Sequence, residues 1–310
     1  MKKILLSTSA LTLLAGAAAA DVNVSGYGRI GIKSSGGSSS QYTRVNLNFS
    51  GSSTTDGGLT MNVQTRMRAT GAATAVWAAP TASISNGSMT LHVGNSTGAI
   101  GSTAGIWGCG AIMWGCQDLA SDTWSDWASR SSGGAGPDVV RLDMALGGAT
   151  VSVSGGNGND AELAVSMPMG GGTVGIGYDT DHDTAAVAAV AASADSVDAD
   201  GVYVPGAAAV AASAAVAKAA ITQINYSGSV GGLGVGVKLM QQNAVNAYMA
   251  SVTAPAGGGS VYIFGGKQLD TSNNYGIRYN QSLGGGASMQ VGATNAAGTT
   301  TIGAGVHFGF

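Results

Sequence analysis

Apolar and polar side chains alternate with a period of two along most of this chain, and no other feature restricts the fold as much. Val22, Val24, Ile30 and Ile32 share one parity, with Gly26 and Gly28 between them, while Asn23, Ser25, Tyr27, Arg29 and Lys33 share the other. Val45, Leu47 and Phe49 stand against Arg44, Asn46 and Asn48. Leu59, Met61, Val63 and Met67 stand against Asn62, Gln64, Arg66 and Arg68. The pattern returns at Val140–Leu146, Val174–Tyr178 and Leu233–Leu239. It closes the chain with Ile302, Ala304, Val306, Phe308 and Phe310 against Gly303, Gly305, His307 and Gly309. Segments of this kind are strands with one apolar face and one wet face.

The apolar faces must be hidden somewhere, and composition says where. Of 310 residues, 45% are hydrophobic and only 9% charged, against ~25% charged in a soluble domain. No run after Leu14 makes a convincing membrane helix. The nearest, Val204–Ile221, is mostly alanine and holds Pro205, Gly206 and Lys218. An apolar chain built of alternating strands is expected to be a transmembrane β-barrel, in which each strand shows lipid every second side chain. The N-terminus agrees. Lys2 and Lys3, the apolar stretch Ile4–Leu14 and the small residues Ala18, Ala19 and Ala20 have the layout of a secretory signal peptide, with cleavage expected before Asp21. Without Lys2 and Lys3, eleven basic residues remain against sixteen acids, about five negative charges in all. That balance gives no sign of nucleic-acid binding.

Short turns are expected at 52–57, Asn86-Gly87, Gly147-Gly148, 170–172, Gly231-Gly232, 255–259 and 283–286. Asn-Gly and Gly-Gly supply the positive φ that tight hairpins require. Eight other connections alternate with these seven turns: 34–40, 70–73, 95–137, 155–160, 180–219, 242–245, 268–273 and 294–299. Together they predict sixteen strands, enough to enclose an aqueous channel. Two connections are long enough to need a purpose. Segment 180–219 is rich in alanine and valine with scattered aspartates, and reads either as a surface loop with some helix or as a hidden strand pair that changes the count. Segment 95–137 holds Trp107, Trp114, Trp124 and Trp127, both cysteines, and Asp118, Asp122 and Asp126. So large an exposed apolar patch is unusual, and the loop is expected to fold into the barrel with its carboxylates facing the lumen. Cys109 and Cys116, the only pair in an exported chain, are expected to form a disulfide, with zinc the lesser alternative. On a helix their Cα atoms would lie ~10.5 Å apart, too far to bond, so the disulfide needs a non-helical turn.

Arg29, Lys33, Arg44, Arg66 and Arg68, five of the eleven remaining basic residues, all fall on the first three strands with wet-face parity. A lipid-facing Arg or Lys costs roughly 2–4 kcal/mol at mid-depth. They are therefore expected to form a basic patch on the lumenal wall.

At these residues the chain resembles a family. The segment Val24-Ser25-Gly26-Tyr27-Gly28-Arg29-Ile30-Gly31, the stretches 44–58 and 87–94, and the terminal Phe310 are similar to Gram-negative general diffusion porins, particularly the alphaproteobacterial, Rhodobacter-type group. The resemblance covers most of 21–178 and 274–310 and fades over 180–219. It implies an outer-membrane, sixteen-stranded barrel that works as a homotrimer and passes ions and small hydrophilic solutes. It further implies a constriction between the third loop and the wall. By position the basic side is Arg29, Lys33, Arg44, Arg66 and Arg68, and the acidic side Asp118, Asp122 and Asp126. The loop departs from the family in having few acids, many tryptophans and two cysteines.

Catalytic motifs are sparse. The only histidines are His92, His182 and His307, and there is no HExxH or phosphate-binding Gly-Lys-Ser/Thr element. A lipase- or esterase-type barrel would need a Ser–His pair at the rim, and His307 has no identifiable partner. A non-conducting adhesion or structural barrel is the third reading. His92 has lumenal parity, where a histidine senses pH or stands idle. Asp160, Asp179, Asp181 and Asp183 offer oxygen ligands for calcium on external loops, but their spacing is no EF-hand and solvated loop acids are the simpler reading. No other cofactor is expected.

Overall fold

The computed structural model describes residues 21–103, 130–156, 159–180, 220–242, 244–267 and 273–310, with the backbone of 182–184, 196–197, 203–204 and 216–218. Sixteen antiparallel strand positions close into one barrel. The first half comprises β1 (Asp21–Ser35), β2 (Ser38–Thr54), β3 (Thr60–Thr70), β4 in two pieces (Val76–Trp77 and Thr81–Ser85), β5 (Met89–Asn95), β6 (Asp138–Leu146), β7 (Ala149–Gly156) and β8 (Asn159–Met169). The second comprises β9 (Gly172–Asp179), β10 (Ile221–Val230), β11 (Leu233–Gln242), β12 (Val245–Ala256), β13 (Gly259–Lys267), β14 (Asn273–Gly284), β15 (Ala287–Ala296) and β16 (Thr299–Gly309). β16 pairs back onto β1, from Tyr27 opposite Gly309 to Ser35 opposite Thr301. Phe310 adds two backbone bonds to Gly26, of 2.8 and 3.0 Å. With the last strand paired to the first, no edge is left for lipid to meet.

The molecule is built inside out. Ile30, Ile32, Val63, Val140, Ile176, Leu239 and Ile302 are among the most exposed side chains. Arg44, Asn46, Glu162, Gln223, Asn225 and Lys238 are buried. An alternating strand must put one parity outward, and here the apolar one faces outward, as a bilayer requires. β4 is split because Pro80 offers no N–H to the ladder, so pairing with β3 stops after Trp77 and resumes at Thr81.

The seven expected turns and eight other connections alternate as the sequence suggests, but most are shorter. β1 and β2 are joined by Gly36-Gly37 alone, so the serine-rich 34–40 is mostly strand. Serine carries no hydrophobic beat, so its strand was invisible to the pattern. At Gly147 and Gly148 φ is +57° and +92°, a turn that side chains resist and that matches the twist of a two-residue hairpin. The described residues of segment 180–219 contain neither a barrel strand nor a helix. His182–Thr184 pairs with Val216–Lys218 and Ser196–Val197 with Tyr203–Val204, as separate two-stranded sheets, and the barrel count stays at sixteen.

Candidate functional site

After β5 the chain turns into the barrel. Gly94 has φ +93°, and a Cβ there would lie 2.7 Å from the Pro80 carbonyl oxygen, so a side chain is excluded twice over. Asn95 follows, buried, and ties the two ends of the third loop together. Its Nδ2 donates to the carbonyls of Ala79 at 3.0 Å and Ser131 at 2.8 Å, and its Oδ1 accepts the Ser131 N–H at 2.7 Å. The Thr81 hydroxyl donates to the Asn95 carbonyl at 2.7 Å.

Residues 96–103 then run along the inner wall. A one-turn helix, α1 (Ala99–Ser102), meets three strands there. The Ala99 N–H donates to Ser154 Oγ on β7 at 2.8 Å, and the Ile100 N–H to Glu162 Oε2 on β8 at 2.9 Å. Glu162 also accepts from the Ser154 hydroxyl at 3.2 Å. The first N–H groups of any helix lack partners within it, and a buried carboxylate supplies one here. Thr103 Oγ1 accepts from Gln223 Nε2 at 3.2 Å and Asn225 Nδ2 at 3.0 Å, both on β10. Arg141 Nη1 donates to the Thr97 carbonyl at 2.5 Å while its Nε and Nη2 hold Asp143 at 3.0 Å. His92 Nε2 lies 3.1 Å from the same carboxylate. On the returning end Arg68 Nη1 donates to Ser132 Oγ, and Gly134 bonds Trp77 and Ala79 through its backbone. The two described ends of the third loop, 96–103 and 130–134, are therefore bonded to the inner wall. Its middle, with Cys109, Cys116, Asp118, Asp122, Asp126 and four tryptophans, lies outside the described residues.

The five basic residues singled out by parity all face inward. Arg29 stands directly opposite Arg44 across β1 and β2, and Lys33 opposite Ser40. Arg68 pairs with Asn46 and Arg66 with Asn48, whose Oδ1 accepts from Arg66 Nε at 2.8 Å. The Arg29 guanidinium lies 4.5 Å from the Tyr27 ring centre and that of Arg44 lies 5.6 Å from Tyr42. Such stacking orients a guanidinium without neutralising it.

Besides the buried Lys238 and Arg141, which is paired with Asp143, four further charged residues belong to this lining. Arg278 on β14 extends the basic side, 5.4 Å from the Tyr262 ring centre. Asp143, Glu162 and Asp179 line β6, β8 and β9. In a sixteen-stranded ring β9 stands across the lumen from β1, so these wall carboxylates face the arginine side. Parity marks all four, since Leu142 and Met144 flank Asp143, Leu163 follows Glu162, Tyr178 precedes Asp179, and Ile277 and Tyr279 flank Arg278. Asp179 is 4% exposed and lies on the inner wall at the end of β9. The side chains of Asp160, Asp181 and Asp183 lie outside the described residues.

The chain matches a family model described as Gram-negative porin over residues 7–301. Among curated proteins none matches it in sequence. Among solved structures it is similar to three variants of a porin from Rhodopseudomonas blastica, at 15%, 16% and 16% identity and TM-scores of 0.68, 0.68 and 0.64. Each alignment covers 94% of this chain and all of the other.

Proposed function

The chain belongs to the Gram-negative porin family, and from that premise we propose that its ion preference is set by the arginines of β1–β3 facing acids across the lumen. The protein is an outer-membrane channel for passive diffusion of ions and small hydrophilic solutes, and its family and fold are those of a channel rather than an enzyme. The observation that supports the proposal is the separation of charge around one wall, with Arg29, Arg44, Arg66 and Arg68 on one side and Glu162 and Asp179 on the other, beside the Arg141–Asp143 pair. Opposed charges create a transverse field that water and polar solutes tolerate better than apolar ones. Asp118, Asp122 and Asp126 complete the acidic side in this reading. Arg66→Ala with Arg68→Ala should shift the reversal potential in a salt gradient toward cation preference and leave the barrel folded, because neither side chain meets lipid. An unchanged reversal potential would remove these two from the selectivity determinants.

Residues 1–20 act in this reading as the export signal, with the mature chain starting where β1 does, and the channel assembles as a homotrimer. Outward aromatics ring much of the long-loop end, with Tyr178, Tyr248 and Tyr275 about half exposed. At the same end β15, β16, β1 and β2 present no aromatic, and a shallow groove there is lined by Ile30, Gln41, Thr43, Val291 and Ala304. An aromatic girdle is needed only where the wall meets the lipid interface, so this sector suits contact with another barrel. Ala304→Trp should convert trimers to monomers, read as a threefold fall in protein mass by light scattering in detergent. A variant retaining the full trimer mass would move the contact elsewhere on the wall.

A further inference from the structure

We propose that the lumenal wall at Arg29 and Arg44 holds a binding subsite for a dianionic oxyanion of the phosphate class. The proposal rests on the channel reading and goes beyond its general charge selectivity. Three observations converge on it.

The two arginines are cross-strand partners, so their Cα atoms are set about 5 Å apart and their like charges repel. Nothing in the strand pattern requires this, since the same parity would accept serine or asparagine. Arg29 Nε and Nη1 are buried and meet no hydrogen-bond acceptor among the described residues. Leaving donors of a charged group unmet is costly, and a bound acceptor would recover that cost. The guanidinium is also held in place by its surroundings. Tyr27 lies under it at 4.5 Å, and the ring of His307, the partner of Arg29 on β16, lies tilted against the same tyrosine at 5.2 Å between ring centres.

The wall beside this pair is mostly glycine. Between Arg29 and Arg278 the intervening ladder places Gly292, Gly303, Gly305 and Gly31 inward, with Gln290 beside Gly305. Glycine leaves a shallow bay with cationic side chains at its margins. A tetrahedral dianion suits it, because its oxygens accept from two guanidiniums at once and its charge offsets their repulsion. Chloride is a single point charge and uses none of the fork geometry. Phosphate and phosphomonoesters are thus the solutes that would dwell at this point of the pore.

The test is single-channel recording in planar bilayers with potassium chloride, titrating inorganic phosphate against added chloride of equal ionic strength. The expected result is a saturable fall in current with phosphate and none with chloride. Arg29→Gln should weaken the block at least about tenfold, the loss expected for one charge-assisted hydrogen-bonded contact. Because that substitution removes a like-charge repulsion, folding should not suffer. Titration calorimetry of inorganic phosphate into the detergent-solubilised barrel needs no conduction. Binding that is lost in Arg29→Gln supports the subsite even where no current flows, a result that would sink the channel reading alone. Conduction with neither saturable block nor calorimetric binding, or equal binding in Arg29→Gln and wild type, overturns the subsite and leaves the channel standing.

Discussion

Replacing residues 104–129 with a short Gly-Ser linker should raise single-channel conductance roughly two-fold, because conductance follows the open cross-section and a sixteen-stranded barrel is wide without an insert. The substitution removes the tryptophan-rich middle and keeps both anchored ends. Asn95 still ties the loop entry to Ser131, and Thr103 still accepts from Gln223 and Asn225. The barrel should survive, since its strands bond one another from β1 round to β16 and back. A liposome-swelling series with sugars of rising size gives the second readout, and the shortened channel should admit larger ones. The same size cut-off in both proteins would mean that the narrowest point lies on the wall and that the loop middle is not the sieve.

The barrel was legible because a lipid-facing strand cannot break its alternation without cost. That single constraint marked the strands, placed Arg29, Arg44, Arg66 and Arg68 on the inner wall, and, with the glycine turns, set their number at sixteen. It weakened wherever the wall leaves the apolar layer. Ser34, Ser35 and Ser38 are strand residues with no apolar partner to betray them, and a two-residue turn read as a seven-residue loop. Asp179 looked like the first of a run of loop acids when its parity with Tyr178 already placed it inside. What alternation cannot supply is which inward residues touch. Thr103 meets Asn225, 122 positions away, and Arg68 meets Ser132, 64 positions away. Parity fixes the face of each partner, but the pairing comes from how the loop lies across a closed ring, and no local pattern records that. The two cysteines and three loop aspartates belong to a stretch that alternation does not reach at all.

Glu162→Ala should unlatch the loop entry and make the channel flicker. The carboxylate is 3% exposed and accepts the Ile100 N–H and the Ser154 hydroxyl through one oxygen. Gly98 packs against it so closely that a Cβ there would lie 2.3 Å from Oε2. Removing it leaves a helix N–H without a partner in a confined space, a loss of about 1–3 kcal/mol in barrel stability, to be read as a lowered denaturant midpoint. The loop stays tethered at Asn95, Arg141 and Thr103, so the segment should rock rather than leave, appearing as excess open-channel noise at an altered mean conductance. Glu162→Gln is the informative companion. It keeps an oxygen for the Ile100 N–H and a polar group for Ser154 but removes the charge. If the carboxylate serves as a hydrogen-bond acceptor, Glu162→Gln should be quiet and Glu162→Ala noisy. Equal noise in both would show that the negative charge at the start of α1 holds the loop, and recordings from both as quiet as wild type would mean that the remaining bonds to β6 and β10 hold it unaided.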